Sequence, residues 1–487
     1  RKGNWAVTVA VHNNRDVIAV WPGIKPDAYG LAIDIGSTTI AAHLCNLTSG
    51  DVVATGGIMN PQIRFGEDLM SRVSYVMMHP EGAEEMTAAV RAGINDLIVE
   101  VAAEAGIDTG DIVELTVAGN PIMHHLFLGI SPVELGSAPF ALATDAAVNL
   151  WAPELDIDVN KGARVYVLPC IAGHVGADAA AMILAEEPYV LDEVSLVVDV
   201  GTNAEIVLGN KDRLLACSSP TGPAFEGAQI SCGQRAAPGA IERVRVDPET
   251  LDVRFRVIGS ELWSDDADFE ASVEAFGITG ICGSGIIEAV AEMYLAGVIN
   301  EDGVVDGSLA TRSERIIEDG RTFSFLLHDG KQRIVVTQND VRQIQLAKAA
   351  LYAGVKLLLD RAGIDKVDRI RLAGAFGSHI DPKHAMVLGL VPDCDLDKVA
   401  SAGNAAGTGA RIALLNVGAR REIEEVVRKV EKIETAIEPK FQDYFVDAMA
   451  IPNKTDEFPQ LFAAVKKPAA KSVDPRQTGR RRRRRSR

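Results

Sequence analysis

Two similar segments of the sequence each combine an aspartate with a glycine-rich turn that carries hydroxyl groups. Residues 31–38 read Leu-Ala-Ile-Asp-Ile-Gly-Ser-Thr, and residues 196–203 read Leu-Val-Val-Asp-Val-Gly-Thr-Asn. The N–H and hydroxyl groups of such a turn can bind an anion, and glycine lets the backbone approach it closely. An aspartate just before the turn can hold a hydrated Mg2+. The pair predicts a Mg2+–phosphate site that includes Asp34 and Asp199; the alternative is that both are only turn formers or helix N-caps.

A third glycine-rich segment adds to this prediction. It follows an apolar strand and reads Ala373-Gly374-Ala375-Phe376-Gly377, a stretch of bare backbone on which a flat ring can lie. A Gly-x4-Gly-Lys-Ser/Thr motif does not occur in the sequence, which excludes a Walker-type site. One turn alone would be typical of an ordinary hairpin, but two turns and this segment favour nucleotide binding. The predicted contacts are Gly36, Ser37, Thr38, Thr39, Gly201, Thr202, Asn203, Gly374, Ala375, Phe376 and Gly377.

The elements that must position these residues follow from the hydrophobic pattern. Each aspartate ends an apolar run and a second run follows its turn, so each segment is predicted to be a β-hairpin. The two aspartates are 165 residues apart, which indicates two copies of a similar half-domain. Long helices are predicted over Glu84–Ala105 and Asp340–Ala362, and small-residue helices over Gly176–Ala185 and after Gly403. Such alternation of strands and helices predicts an α/β fold with mixed sheets flanked by helices.

The order of these motifs resembles that of the actin, heat-shock-70 and sugar-kinase superfamily. The resemblance covers residues 29–420 and implies two actin-like (ribonuclease-H-like) lobes with a nucleotide cleft between them. It also implies that Gly403 and Asn404 belong to the nucleotide site. The matching elements are phosphate-1 (Asp34–Thr39), connect-1 (Pro169–Ala185), phosphate-2 (Asp199–Glu205), adenosine (Leu372–Gly377) and connect-2 (Gly403–Leu414).

This resemblance also sets the expected domain boundaries. We expect residues 1–28 to be the end of a preceding middle domain or linker, 29–197 to form lobe I and 198–400 to form lobe II. Residues 401–465 would return to lobe I as the connect-2 helix and then form a C-terminal extension. Residues 466–487, with 11 basic residues and one acidic residue, would be a disordered basic tail.

Further segments resemble the ATP-dependent reductive activators of corrinoid proteins. They include Asn60–Asp68, Gly119–Leu126, Gly222–Gly227, Gly280–Gly285, Gln338–Lys348 and Lys440–Asp443. The resemblance implies an ATP hydrolase that drives reduction of an inactive Co(II) corrinoid protein to Co(I) for methyl transfer. It implies ATP and Mg2+ as ligands, a corrinoid protein and a reduced electron donor as partners, and a homodimer. Members of the family also carry an upstream [2Fe–2S] domain, which these 487 residues do not contain.

Several single residues have more than one interpretation. Glu205 and Glu226 are candidates to orient the attacking water. His124 and His125 are adjacent on a helix, so they cannot share a face as a ligand pair, and packing is expected. His174 is a weaker candidate for phosphate contact, and Cys170 and Cys282 are expected to be packed small residues. The group Arg64, Glu67, Asp68 and Arg72 is predicted to form i,i+4 pairs along one helix.

Composition limits the class of protein. The chain has a formal net charge of −18, and residues 1–465 alone carry −28, so nucleic acid is an unlikely partner for the folded part. No apolar run approaches the length of a spanning helix, so we expect no membrane partner. The cysteine pattern is that of reduced core residues, which predicts a cytoplasmic protein. The six cysteines are at least 15 residues apart, which fits neither a Cys-x-x-Cys metal site nor a dense disulfide framework.

Three alternative functions remain open at this stage. A small-molecule kinase of the same superfold would need an aspartate base, for which Asp178 is the one candidate. A 2-hydroxyacyl-CoA dehydratase-type activator would hold a [4Fe–4S] cluster between two subunits through cysteines such as Cys170. A non-enzymatic module would bind the nucleotide as a structural ligand.

Overall fold

The computed structural model describes residues 5–66, 68–374 and 377–468. The predictions for Glu67, Ala375, Phe376 and most of the basic tail therefore lie outside the described residues. The described chain divides into two compact units. The first unit comprises Arg1–Pro220, Gly354–His379 and Asp397–Phe441, and the second comprises Thr221–Ala353, Ile380–Leu396 and Gln442–Arg487.

The strands and helices follow the predicted alternation. In chain order the strands are β1 (Val7–His12), β2 (Asp16–Pro22), β3 (Tyr29–Ile35), β4 (Thr39–Asn46), β5 (Val52–Met59), β6 (Ile112–Gly119), β7 (Val148–Trp151), β8 (Arg164–Val167), β9 (Ser195–Asp199), β10 (Ala204–Gly209), β11 (Leu214–Ser219), β12 (Ala240–Val246), β13 (Val253–Val257), β14 (Gly280–Ile281), β15 (Ile316–Asp319), β16 (Thr322–Asp329), β17 (Arg333–Val336), β18 (Arg369–Ala373), β19 (Val399–Gly403) and β20 (Glu431–Lys432). The helices are α1 (Leu69–Met78), α2 (Gly82–Ala105), α3 (Pro121–Leu128), α4 (Ala177–Glu186), α5 (Phe269–Ser272), α6 (Gly283–Leu295), α7 (Gln338–Ala362), α8 (Pro382–Leu388), α9 (Ala405–Leu415), α10 (Val417–Val426), α11 (Phe441–Asp447) and α12 (Pro459–Ala464).

The first unit contains two six-stranded mixed sheets, in the orders β5-β4-β3-β6-β8-β7 and β19-β18-β9-β10-β11-β20. In each sheet a three-stranded antiparallel meander, β3-β4-β5 or β9-β10-β11, is extended by parallel strands next to its first strand. The two sheets therefore share one topology around Asp34 and Asp199, which confirms the predicted duplication. The apolar runs are buried as expected, with Leu31, Ile33 and Leu196 at 0% exposure.

Two small-residue helices of the first unit cross closely. A Cβ atom at Gly409 of α9 would lie 1.9 Å from the carbonyl oxygen of Ala181 in α4, so only glycine allows this approach. Helix α4 also packs against β6, β9 and β10, and α9 packs against β3 and β6. The crossing of these two small-residue helices therefore depends on glycine at position 409. Helix α4 contacts strands of both sheets.

Strands β1 and β2 form an antiparallel hairpin near the N-terminus. Asn13 and Asn14 adopt positive φ angles of 51° and 55°, the turn conformation that matches the twist of a two-residue hairpin. Ile18 and Ala19 are buried beside Val113 of β6.

The second unit contains two three-stranded sheets, in the orders β13-β12-β14 and β15-β16-β17. Helix α6 packs against β12 and α8, and all but one of its residues, from Gly283 to Tyr294, are buried. Helix α6, which begins within the Gly280–Gly285 segment, is thus a core element of this unit.

Candidate functional site

The two aspartates lie at the carboxyl ends of equivalent strands. Asp34 is the second-last residue of β3, and Asp199 is the last residue of β9. After Asp34 the chain turns tightly, and the Gly36 N–H donates to the Thr39 oxygen at 3.0 Å. A Cβ atom at Gly36 would lie 2.6 Å from that oxygen, so the turn requires glycine. Residues 36–39 are called the first phosphate turn below.

Four carboxylates of the first unit form one electrostatic group, called the carboxylate cluster: Asp34, Asp178, Asp199 and Glu205. Burial raises the pKa of Asp34 to about 7, and the Asp178 charge adds to this while a hydrogen bond with Asn404 opposes it. Burial also raises the pKa of Asp199 to about 7, with further contributions from Asp178 and Asp34. Burial and the charges of Asp178 and Asp199 raise the pKa of Glu205 well above its usual range.

Asp178 links the two halves of this cluster. It is the second residue of α4, the helix that packs against strands of both sheets. Burial raises the pKa of its carboxyl group, although backbone N–H groups such as that of Ala179, 2.7 Å from Oδ1, act in the opposite direction. Glu205 of β10 lies directly opposite Asp199 of β9 in the strand register. None of these pKa shifts has a cationic side chain among its causes. The carboxylate cluster is therefore a concentration of negative charge.

The carboxylate cluster fits a hydrated divalent cation. Like charges in a desolvated site raise one another's pKa unless a cation neutralises them, and Mg2+ prefers oxygen ligands while keeping several of its waters. Asp34 and Asp199 are the residues that would hold it through water. Among the described residues, the one group of potential metal ligands whose atoms all lie within 4.8 Å of one another is a different one, in the second unit.

The predicted nucleotide residues at the ends of β18 and β19 adjoin Asp199. A Cβ atom at Gly374 would lie 2.3 Å from Asp199 Oδ1, and the Gly374 N–H donates to the Gly403 oxygen at 2.9 Å. Gly374 and Gly403 have φ angles of 91° and 62°, which favour glycine. Asn404 caps α9 by accepting from the Gly407 N–H at 2.8 Å. The structure therefore brings Asp34, Asp199, Gly374, Gly403 and Asn404 together.

The remaining predicted residues have different positions. Gly201, Thr202 and Asn203 form the partly buried turn between β9 and β10, and Gly377 begins a short 3-10 helix after β18. Glu226 belongs to the second unit, at the end of the 3-10 helix Pro223–Glu226, so its role stays a prediction.

Three residues that contact the first phosphate turn were missed by the sequence analysis. Asn60 donates to the Gly36 oxygen at 2.8 Å, Arg72 donates to the Ser37 oxygen, and Asn120 donates to Ser37 Oγ at 3.1 Å. The two asparagines each follow a strand, precede a proline and cap a helical turn. That shared Asn-Pro pattern after a strand was the signal that could have found them.

The predicted helix face from Arg64 to Arg72 is wrong. Arg64 lies in the separate 3-10 helix Pro61–Phe65, with its guanidinium 4.7 Å from the Phe65 ring. Asp68 starts α1 as its N-cap by accepting from the Ser71 N–H, so the chain cannot continue one helix across this point. Arg72 is fully buried within α1.

The histidines and cysteines of the first unit are occupied or packed. Burial lowers the pKa of both His124 and His125, and His125 Nε2 accepts from the Ala143 N–H at 3.0 Å. His174 Nδ1 lies 3.3 Å from Glu434 Oε1, so this imidazole already has a carboxylate partner. Cys170 is 2% exposed and burial raises its thiol pKa, as it does for Cys282 in the second unit. Packing was the expected interpretation for the adjacent histidines and for both cysteines.

The tight group in the second unit is a set of ion pairs, called the ion-pair network. Glu288 accepts from Arg243 at 2.8 Å, from Arg245 at 2.5 Å and from the Val244 N–H at 2.9 Å. His384 is fully buried and contacts Glu292 at 2.7 Å and Asp381 at 3.1 Å. Because cationic side chains already neutralise these carboxylates, the network does not need a metal ion.

The carboxylate cluster is therefore the better candidate for a ligand site. No helix in the described part of the chain is long and apolar enough to cross a membrane.

Comparison with known proteins agrees with this geometry. Residues 193–462 match a family described as the C-terminal domain of RACo, the ASKHA domain, and residues 29–189 match the RACo middle region. The corrinoid activation enzyme RamQ of Eubacterium limosum is 34% identical over 434 residues, which cover 86% of this chain and 70% of that protein. A Co(II) methylated-amine-specific corrinoid protein reductase of Methanosarcina barkeri is 27% identical over 421 residues, covering 82% of this chain and 73% of that protein.

A solved structure gives the same result for the fold. A reductive activator for corrinoid,iron-sulfur protein superposes with a TM-score of 0.81 at 37% identity, covering 93% of this chain and 71% of that chain. Together with the ASKHA match, this confirms the actin-like fold with mixed sheets and helices. The matched middle region coincides with most of predicted lobe I and does not include residues 1–28. The lobe boundaries and the assignment of 1–28 stay predictions.

Proposed function

The chain belongs to the family of reductive activators of corrinoid proteins, and we propose on that premise that it uses ATP to drive reduction of a Co(II) corrinoid protein to Co(I). The observation that carries the proposal is the carboxylate cluster, in which buried negative charge lies beside the glycine backbone at the ends of β18 and β19. This arrangement suits Mg2+-ATP better than a neutral or anionic ligand alone.

Each part of the site has a proposed role. Asp34 and Asp199 hold Mg2+ through water, and the bound ion supplies neutralisation of phosphate charge. The two turns bind the phosphates through Gly36, Ser37, Thr38, Thr39, Gly201, Thr202 and Asn203. The adenosine end lies along the backbone of Gly374 and Gly377, with Gly403 and Asn404 beside it, and the proposal extends to Ala375 and Phe376.

The carboxylates also account for hydrolysis. The attacking water loses a proton as it bonds to the γ-phosphorus and the bond from that phosphorus to the ADP oxygen breaks. A carboxylate whose pKa lies near the working pH is the best acceptor for this proton. Asp178 and Glu205 have such raised pKa values within the cluster. We assign the orientation of the water to these two residues, with Glu226 of the second unit as a further candidate.

ATP must act through a difference in binding. Reduction of Co(II) to Co(I) adds one electron from a reduced donor, and ATP can favour that step only if one conformation binds it better than another. The six cysteines do not fit a plant-type [2Fe–2S] centre, because they are at least 15 residues apart in the sequence and five of them are buried. The electron would therefore come from a [2Fe–2S] domain outside these residues or from a separate reduced protein.

The proposal also covers the partner protein, the oligomeric state and the cellular location. The corrinoid protein of a methyltransferase system is the proposed partner, and the acidic charge of residues 1–465 would attract a basic docking face. We propose a homodimer in the cytoplasm, with neither nucleic acid nor a membrane as a partner.

The deciding experiment follows cobalt reduction by absorbance. A purified Co(II) corrinoid protein is incubated anaerobically with this chain and a reduced donor, with and without ATP and with and without an added [2Fe–2S] domain. We expect the Co(I) spectrum to appear only with ATP. Equal reduction with and without ATP under both donor conditions would contradict the proposal. A sugar and carboxylic-acid panel incubated with ATP serves as the control for kinase activity and should give no phosphorylated product.

A further inference from the structure

We propose that Arg72, together with Asn60, positions the first phosphate turn for anion binding from the side opposite to the ligand. The inference rests on the proposed function, because it assigns a role to residues behind a turn that we propose to contact ATP. Neither residue would touch the nucleotide, so both are positioning residues rather than catalytic ones.

Both side chains reach the backbone of the turn from the protein interior. Asn60 and Arg72 are each 0% exposed. The Asn60 amide donates to the Gly36 oxygen at 2.8 Å, and the Arg72 guanidinium donates to the next carbonyl oxygen, that of Ser37. The two groups also contact one atom in common, Met123 Sδ, at 3.5 Å and 3.1 Å. They therefore bind two consecutive carbonyl groups from the same side.

Peptide geometry then determines where the amide hydrogens of the turn point. The peptide bonds in this segment are trans, and a trans peptide is planar with its C=O and N–H bonds in opposite directions. Because the Gly36 and Ser37 carbonyls face Asn60 and Arg72, the N–H groups of Ser37 and Thr38 face away from them. Successive N–H groups that face the same way form an anion-binding concavity.

The turn is also held at its flanks. The Asn60 N–H donates to the Thr38 oxygen at 2.9 Å, and Asn120 reaches Ser37 Oγ at 3.1 Å. The rest of the Arg72 guanidinium is fixed by the Gly66 oxygen at 2.9 Å and by Gln62 Oε1 at 3.4 Å. These partners hold the Arg72 side chain in one position. Because Arg72 also binds the Ser37 carbonyl, it fixes the position of the turn.

Arg72 also places a positive charge next to the first phosphate turn. Burial lowers its pKa to about 10, and the Asp68 charge acts in the opposite direction, so the guanidinium stays protonated at neutral pH. Its hydrogen bonds within the described chain go to carbonyl and amide oxygens and a sulfur atom. A buried cation with neutral partners is stabilised by a nearby anion. A phosphate on the other side of the turn would provide that anion.

The test compares ATP binding in matched arginine variants. Arg72→Met keeps an apolar stem but loses the donors, Arg72→Lys keeps the charge, and Arg64→Met removes an exposed arginine that does not reach the turn. Calorimetry with Mg2+-ATP should show weakening on the order of 10- to 100-fold for Arg72→Met and a smaller loss for Arg72→Lys. Arg64→Met should bind as the wild type does.

A second readout separates positioning from general stability. Mg2+-ATP should raise the unfolding temperature of the wild type and of Arg64→Met, and this rise should be lost in Arg72→Met. A variant that unfolds at a lower temperature but keeps the full ATP-induced rise would show a structural role only, and would overturn the inference.

Asn60→Ala provides an independent variant if Arg72→Met does not fold. It removes the amide that binds the Gly36 carbonyl, while Asn416→Ala removes the cap of α10 and serves as the matched control. Normal ATP binding by both Asn60→Ala and Arg72→Lys would overturn the inference. Wild-type protein that binds ATP but shows no ATP-dependent reduction would contradict the proposed function alone. Wild-type protein that does not bind ATP would overturn both.

Discussion

Two acidic regions of the molecule differ in how their charge is neutralised. The carboxylate cluster of the first unit, with Asp34, Asp178, Asp199 and Glu205, has raised pKa values caused by burial and by the carboxylates themselves. In the ion-pair network of the second unit, Glu288 is bound by two arginines and His384 lies among three carboxylates. There the pKa values of Asp381 and Glu292 are lowered, because hydrogen bonds and charge from His384 outweigh burial.

The difference separates a ligand site from a structural one. In a buried group whose charges neutralise one another, removing one member leaves the others unpaired and destabilises the fold. A buried group whose charge is not neutralised costs stability and persists where a ligand or reaction requires it. The same residue types therefore have opposite consequences when mutated, and this contrast can be tested.

We expect the largest effect from Asp199→Asn, on the ATP-dependent reduction of the corrinoid protein. Loss of one carboxylate should reduce ATP-dependent formation of Co(I) on the order of 10^2- to 10^3-fold, because the amide cannot hold hydrated Mg2+ as strongly. Stability should be unchanged or higher, since one buried negative charge is removed. Initial rates by absorbance and thermal unfolding measure the two effects. Asp192→Asn, an exposed aspartate of the same unit, is the control. If Asp199→Asn lowered the unfolding temperature as well as the rate of Co(I) formation, the carboxylate cluster would not differ from the ion-pair network in this respect, and the contrast would be wrong.

Glu288→Gln should have the opposite profile. It leaves Arg243 and Arg245 without their buried anion, and we expect the free energy of unfolding to fall by about 3 kcal/mol. Urea titration measures this change, and ATPase activity per folded molecule should be unaltered. Glu261→Gln, which removes an exposed partner of Arg256, should change stability little. If Glu288→Gln left stability intact, the ion pairs would not be what holds α6 against β12.

The pH dependence of the network should be visible through His384. Burial lowers the pKa of His384, but hydrogen bonds with Asp381 and Glu292 and the Glu288 charge outweigh burial, despite opposition from Lys383, so its pKa is raised above 6.5. Its stabilising contribution is therefore complete below pH 6.5 and is lost as the pH rises through the raised value. The stability of wild type relative to His384→Gln should decrease over that range in urea titrations at several pH values. A difference that grows with pH would contradict the charged state.

The smallest effect is expected for Cys170→Ala, beside the carboxylate cluster. Burial and the Asp178 charge both raise the pKa of this thiol, so we expect a packed side chain and not a ligand of an iron–sulfur cluster. We expect unchanged reduction activity and a loss of about 1 kcal/mol in stability. Iron analysis after anaerobic purification provides the check. Brown protein whose iron is lost in this variant would instead support the dehydratase-type activator.

The local elements around the site could be predicted from the sequence. Both hairpins, the glycine after each aspartate and the two small-residue helices depend on patterns within about ten residues, and all are present as expected. Arg72 could not be placed in this way. Its neighbours in sequence suggested an exposed helix face, whereas its partners Gln62, Met123 and Ser37 come from three other segments.

Asp178 shows the same limit more clearly. Nothing in its own segment distinguishes it from an ordinary residue in the first turn of a helix, where an acidic side chain is favoured. Its membership of the carboxylate cluster depends on the packing of α4 against both sheets, which in turn depends on the absence of a side chain at Gly409.

Residue order alone was sufficient for the family, the duplicated strand–turn–strand units and the aspartates that end them, because hydrophobic period and turn chemistry are local properties. Which charged side chains neutralise one another is determined only by the folded chain. Whether a buried carboxylate meets another carboxylate, as Asp199 does, or an arginine, as Glu288 does, depends on segments far apart in sequence. Electrostatic interactions in a desolvated interior act over the final three-dimensional distances, which sequence spacing does not contain.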